Sequence, residues 1–407
     1  MIARLAACGI AAAVALLTAC QPGGNTPSIS DPPAAAGSGM PHLAPGPGGI
    51  AVLSWLEPDG DGHRLRFATL AGDEWRDAAT VARGADWFVN WADFPSVEPI
   101  AGNRWAAHWL VKRPGGTYAY DVAIALSDDS GASWSPALTP HTDGTATEHG
   151  FVSLYPDGDA VGALWLDGRE MTGHGGHDDH GEGAMTLRSV QIDLNNALDD
   201  GGVVDARVCD CCQTDVAVSD AGPVAVYRNR TDDEVRDTYI ARRVDGQWRS
   251  GVAVADDNWT IDGCPVNGPA VATRGNAVAV AWYTEADDRP RVQVALSQDG
   301  GASFAAPVIV DANDPVGRVD VAWLGDGSAV TSWIARGEGG VGTVMARALQ
   351  PDGTLADARA VAGTDVARRS GFPQMLPYNQ GLLFAWTDLA GDTQRVRATW
   401  VDADTLR

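Results

Sequence analysis

Three cysteines occupy four consecutive positions, Cys209-Asp210-Cys211-Cys212, in a 407-residue chain that holds only six. A fourth, Cys264, lies further on in DGCPVNGP, and three of the eight histidines, His174, His177 and His180, crowd into MTGHGGHDDHGEG with Asp178, Asp179 and Glu182. Thiolates favour soft ions and imidazole suits copper and zinc, so the two clusters together make a ligand set for either metal. The spacing C-x-C-C is not that of a zinc finger. On an extended strand Cys209 and Cys211 would share one face and Cys212 the other, so one ion needs a curved loop and several ions would form a cluster. Disulfides compete with this reading. Four cysteines allow three pairings, and a bond between the neighbours Cys211 and Cys212 would be strained and easily reduced, which makes a redox couple a third option. A Gly-rich, solvated insertion with incidental histidines is the plain alternative for the loop. A disulfide framework, however, gives those histidines no task.

The compartment decides how such thiols live. Arg4 precedes a short apolar run, Ile10 to Leu17, that is too brief for a comfortable membrane span. It ends in Leu17-Thr18-Ala19-Cys20, which resembles the lipobox of bacterial lipoproteins and implies acylation of Cys20. Residues 1–19 are thus expected as a signal peptide, residues 20–39, rich in Pro, Gly, Ser and Ala, as a flexible tether, and residues 40–407 as the folded body. The expected location is the cell envelope, in the periplasm or at the outer membrane. A formal net charge of −24 argues against nucleic acid or anionic lipid as the main partner. Lys112 is the only lysine, a bias with no functional reading, and a monomer is expected.

The elements that must position these groups repeat. Apolar runs end at Trp55, Trp109, Trp165, Tyr227, Trp282, Trp333 and Trp386, at intervals of 54, 56, 62, 55, 51 and 53 residues. Each has the alternating or continuous apolar pattern of a buried strand rich in β-branched and aromatic residues. A shorter strand precedes each run, as in FPSVEPI, CQTDVAV, NGPAVAT and FPQMLPY, and a third follows, as in YAYDVAIALS and RVQVALS. Only SVQIDLNNALDD offers a possible helix. Seven four-stranded units of this period predict an all-β propeller, with the N-terminal segment supplying the strand that the last unit lacks.

Two turns narrow the kind of propeller. Ser127, Asp129, Gly131 and Trp134 in SDDSGASW, and Ser297, Asp299, Gly301 and Phe304 in SQDGGASF, follow third strands of different units. They resemble the Asp-box (BNR repeat) of the sialidase superfamily, in which an Asp binds turn amides, a Gly takes positive φ and an aromatic plugs the blade. The resemblance covers residues 40–407 and implies a sialidase-like propeller. Sialidases have six blades, so seven repeats depart from the family, and its early Arg-Ile-Pro signature is absent. If the resemblance extended to catalysis, Arg169, Arg228, Arg230 and Arg369 would be candidates for binding a sugar carboxylate. Tyr283 with Glu285 would imitate the nucleophile pair, and Asp232 would be an acidic partner. Each of these has an equally simple reading as an inter-blade ion pair, and fold does not decide function.

The repeat also locates the cysteines. Cys209, Cys211, Cys212 and Cys264 enter the first strands of units four and five. The His-rich loop joins the second and third strands of unit three, and Glu148 and His149 enter its first strand. All of these loops open on one face, the funnel mouth. The expectation is a membrane-anchored propeller holding copper or zinc at that rim, with a glycan or protein ligand as its other possible partner. The alternatives are an exo-glycosidase of sialidase type and a disulfide-stapled interaction scaffold.

Overall fold

A computed structural model describes residues 29–171, 183–389 and 393–407. Seven antiparallel sheets follow one another along the chain, as the seven repeats predict, and form a propeller. Their inner strands are Gly39–Pro45, Ser96–Ala101, His149–Asp157, Asp215–Ser219, Ala270–Arg274, Pro315–Trp323 and Gln374–Tyr378. The four-stranded plan is complete in blades 3 to 6. The outer strand of blade 1 comes in two pieces, and blades 2 and 7 show three regular strands, with a lone bridge between Ile124 and Leu138 marking the fourth position of blade 2. The possible helix in SVQIDLNNALDD is instead the end of one strand, Met185–Ile192, and the start of the next, Leu198–Val208. The only α-helix among the described residues is Ala403–Leu406.

No single core holds the ring. Apolar clusters lie between successive blades, such as the one joining Trp282 and Val280 of blade 5 to Val224 and Val226 of blade 4. Trp55, Trp105, Trp165, Trp282 and Trp333 are the largest of the fully buried side chains. Four of these indoles donate to a carboxylate, Glu57, Asp167, Asp257 and Asp311 respectively, at 2.6–2.8 Å. A buried indole N–H usually finds such a partner, so part of the acidic excess is structural, although Trp105 Nε1 has none.

The two SxDxG turns are superimposable in their bonding. Ser127 Oγ accepts from the Gly131 amide at 2.8 Å, and Asp129 accepts from the Ser133 amide at 2.8 Å and its hydroxyl at 2.6 Å. Ser297, Gly301, Asp299 and Ser303 repeat this at 3.0, 2.9 and 2.6 Å. Hydrogen bonds from Ser133 hold Asp129 below the usual carboxylate range. Trp134 packs edge-on against Phe67, and Phe304 lies against the cluster between blades 4 and 5.

The ring closes where the chain ends meet. Residues 31–38 lie along the last strand of blade 7, Arg395–Asp402, through Gly37 N to Gln394 O, Arg395 Nε to Ala34 O and Val396 N to Ser38 Oγ. These are separate bonds, not the ladder of an added strand. Ala34 and Ser38 are fully buried, so the packed body begins before residue 39. The seventh sheet thus keeps three strands, and Tyr378 seals the joint by donating to the Leu70 and Gly72 carbonyls of blade 1.

Candidate functional site

The loop entering blade 4 is curved, and this lets all three thiols face inward. Cys209, Cys211 and Cys212 are buried, with Cys209 Sγ 3.7 Å from Cys211 Sγ and 3.5 Å from Cys212 Sγ. These separations exceed a disulfide bond of about 2.05 Å by far. They are close to the edge of a tetrahedral thiolate site, about 3.8 Å for metal–sulfur bonds of about 2.3 Å. The Cys264 thiol, exposed on the loop entering blade 5, joins the cluster through Cys211 and Asp210, whose ligand atoms lie with its own within 4.8 Å.

Two buried guanidiniums shape the electrostatics. Arg236 donates to Cys209 Sγ at 3.3 Å and pairs with Asp210 and Glu234. Arg228 stands over Trp259 and donates to the carbonyls of Arg236, Asn267 and Tyr283. Burial pushes the Cys209 thiol up to about 11 and holds Cys211 well above its ordinary value. At Cys212 burial is overcome by hydrogen bonds from Cys209 and Cys211 and by the charge of Arg228, so this sulfur is held well below the ordinary thiol value. The three sulfurs thus converge, with Cys212 the most readily ionised of them. A soft cation displacing the thiol protons would complete the set.

A hydrogen-bonded carboxyl group borders the outer sulfurs. Tyr120 Oη donates to Glu148 at 2.5 Å and approaches Asp93 at 3.4 Å. Burial, with Asp210 and Cys264 nearby, raises Glu148 to about 8, and burial raises Asp93 to about 7. Glu148 was visible in the sequence by its register; Tyr120 and Asp93 carried no signal.

His149 belongs to a different pocket of the same face. Its ring stacks on His141 at 3.9 Å between centroids, and Asp121, Asp143 and Asp167 surround the pair. Arg113 pairs with Asp121, and Arg169 with Asp143 and Asp167, while the sets Asp121, His141, His149 and Asp143, His149, Asp167 each bring three ligand atoms within 4.8 Å of one another. His174, His177 and His180, with Asp178, Asp179 and Glu182, lie outside the described residues, as does Cys20.

The residues that the sialidase resemblance implied for catalysis have these partners in the structure. Arg169 grips Asp167 at 2.6 Å, the carboxylate that also holds Trp165. Arg228 is spent on main-chain carbonyls, and Arg230 pairs with Glu234 at 2.6 Å. Arg369 is exposed on the loop before blade 7. Asp232 pairs with Arg207 on the surface, and Tyr283 bonds Glu285 at 3.3 Å in blade 5.

No protein-family model and no curated protein matches the sequence. Solved structures do match in shape. A polysaccharide lyase of family PL25, an ulvan lyase, is 11% identical over 92% of this chain and 96% of its own, with a TM-score of 0.55. A protein of unknown function from Dyadobacter fermentans DSM 18053 is 12% identical over 90% and 94%, with a TM-score of 0.50. The sialidase of Trypanosoma rangeli reaches 12% identity and a TM-score of 0.44 over 81% of this chain and 56% of its own. The likeness is one of fold, a β-propeller.

Proposed function

We propose that this protein is an exported, lipid-anchored propeller that binds copper(I) or zinc(II) through Cys209, Cys211, Cys212 and Cys264 at its funnel mouth. The observation that carries this reading is the spacing of the buried sulfurs, with Cys209 Sγ 3.7 Å from Cys211 Sγ and 3.5 Å from Cys212 Sγ. Buried thiols that merely packed would need neither the two guanidiniums nor a common focus. Cys264 and Asp210 form the outer edge of the site and its route to solvent. The lipid on Cys20 would keep this rim at the membrane, and His174, His177 and His180 would supply a capture loop beside it.

The test is a competition titration of reduced protein against a chromogenic copper(I) chelator, repeated with zinc and a zinc indicator. Wild-type protein should withdraw one equivalent or more of the metal, and Cys211→Ser should lose it, because Cys211 joins the inner and outer groups. Equal withdrawal by wild type and Cys211→Ser, or none by either, would remove the proposal.

A further inference from the structure

A second feature lies beneath the thiol site and is separate from it. The segment between blades 1 and 2, residues 85–95, crosses the mouth of the central channel. Trp91 stacks on Phe372 of blade 7 and lies under Arg318 of blade 6, Ala92 O accepts from Gln213 of blade 4, and Asp93 accepts from the Phe151 amide of blade 3. Below this roof runs a cavity of about 700 Å³ that reaches the turns of the opposite face at Pro45, Pro156 and Asn379.

The cavity wall carries the acidic side chains Asp93, Glu98, Asp215 and Asp320, against His42, His108 and Arg274 as its basic ones. Glu98, Asp215 and Asp320 project from the inner strands of blades 2, 4 and 6. Among the described residues none pairs with an arginine or lysine, and His42, bonded to Glu98, is the only basic partner. Asp215 and Asp320 accept main-chain amides of the neighbouring inner strands, Val271 at 2.7 Å and Met375 at 2.5 Å, which fixes their positions. A second, independent sign of a ligand lies in the imidazoles. His108 lines the same cavity at 1% exposure with Nδ1 bonded to Ser96, yet its Nε2 completes no hydrogen bond, and neither does His42 Nδ1. Buried polar nitrogens seldom stay unmatched.

We propose that the channel binds a small organic ammonium, such as an alkyl diamine, between Glu98, Asp215 and Asp320. An inorganic ion fits less well, because no three ligand atoms of this group come within 4.8 Å of one another. An ammonium with an alkyl chain spans such distances, donates several hydrogen bonds, and covers the apolar wall of Phe94, Phe151 and Phe372, whose faces attract cations. Burial raises Asp215 to about 7 and Asp320 to about 8, as expected for carboxyls awaiting a counter-charge.

Calorimetric titration of the full chain at about pH 8 tests this with 1,4-diaminobutane, 1,4-butanediol and calcium chloride as probes. The diamine should bind saturably at one site, the uncharged diol should not bind, and Asp320→Asn should weaken the diamine about tenfold or more. Asn keeps an acceptor for the Met375 amide, and a thermal scan confirms that the variant folds. Equal binding of the diol, calcium binding that the diamine cannot match, unchanged affinity in Asp320→Asn, or no saturable heat below about 10 mM diamine would each overturn the proposal.

Discussion

Replacing Arg228 by Ala separates a structural guanidinium from a substrate-binding one. Arg228 is 2% exposed and donates to three carbonyls, Arg236 O at 2.6 Å, Asn267 O at 2.8 Å and Tyr283 O at 2.8 Å, which tie blade 4 to blade 5. The variant leaves these acceptors unmatched, at about 1–3 kcal/mol each before water enters the space. It also removes the contact with Trp259, worth about 1 kcal/mol. Partial hydration brings the expected loss to about 3–6 kcal/mol. Unfolding entropy for a body of this size is roughly 0.8 kcal/mol/K, so Tm should fall by about 4–8 °C. A second readout follows from the charge. Without Arg228 the Cys212 thiolate loses a support, and its reaction with an alkylating reagent in denaturant-free buffer should shift to higher pH. Differential scanning calorimetry and a pH series of alkylation measure the two effects. An unchanged or raised Tm would mean that Arg228 is held against the fold for a ligand, and the structural account of this arginine would be wrong.

Changing Cys20 to Ala should release the protein from the membrane fraction or stall its processing, and unchanged partitioning on fractionation would contradict lipid anchoring. Gly131→Ala should destabilise blade 2, since Gly131 has φ +82° and a Cβ there would stand 2.5 Å from the Phe67 ring; a cost of about 1 kcal/mol or more should appear in denaturant titration, and wild-type stability would disprove the strain. Asp320 has its folded value raised to about 8 from an ordinary 3.8, chiefly by burial. The folded state therefore holds this proton more tightly, and stability should fall as pH rises from about 4 to about 8. Asp320→Asn should flatten that decline in denaturation series run without added amine, and a parallel slope in both proteins would count against it.

The ring was legible because its signal is local. Each second strand carries its own apolar run and indole, and each inner strand its turn, so the period survives in a single sequence. The convergence of Cys209, Cys211, Cys212 and Cys264 was legible for the same reason: register alone puts them at adjacent blade entrances. The side-chain pairings were not. Arg228 reaches Asn267 and Tyr283, 39 and 55 residues away, and nothing near YRNRTDD distinguishes that role from substrate binding. Residues 85–95, in GADWFVNWADFP, carry no repeat signal, although their aromatic and acidic side chains roof the channel. Tyr120, Asp93, His141 and Asp143 were likewise invisible, since each gains its meaning from a neighbour in another blade or loop. Within the Pro- and Ala-rich stretch expected as a tether, Ala34, Gly37 and Ser38 bond to Arg395, Gln394 and Val396, contacts that composition does not reveal.

X-ray absorption of the metal-loaded protein, at the copper or zinc edge, tests the account most directly. A site built by Cys209, Cys211, Cys212 and Cys264 predicts a first shell dominated by sulfur at about 2.2–2.3 Å, with at most one lighter ligand. It also predicts that this shell survives replacement of His174, His177 and His180 by Ala, because the inner sulfurs are already placed without them. A shell of nitrogen and oxygen at about 2.0 Å, with the cysteines recovered as disulfides, would contradict it.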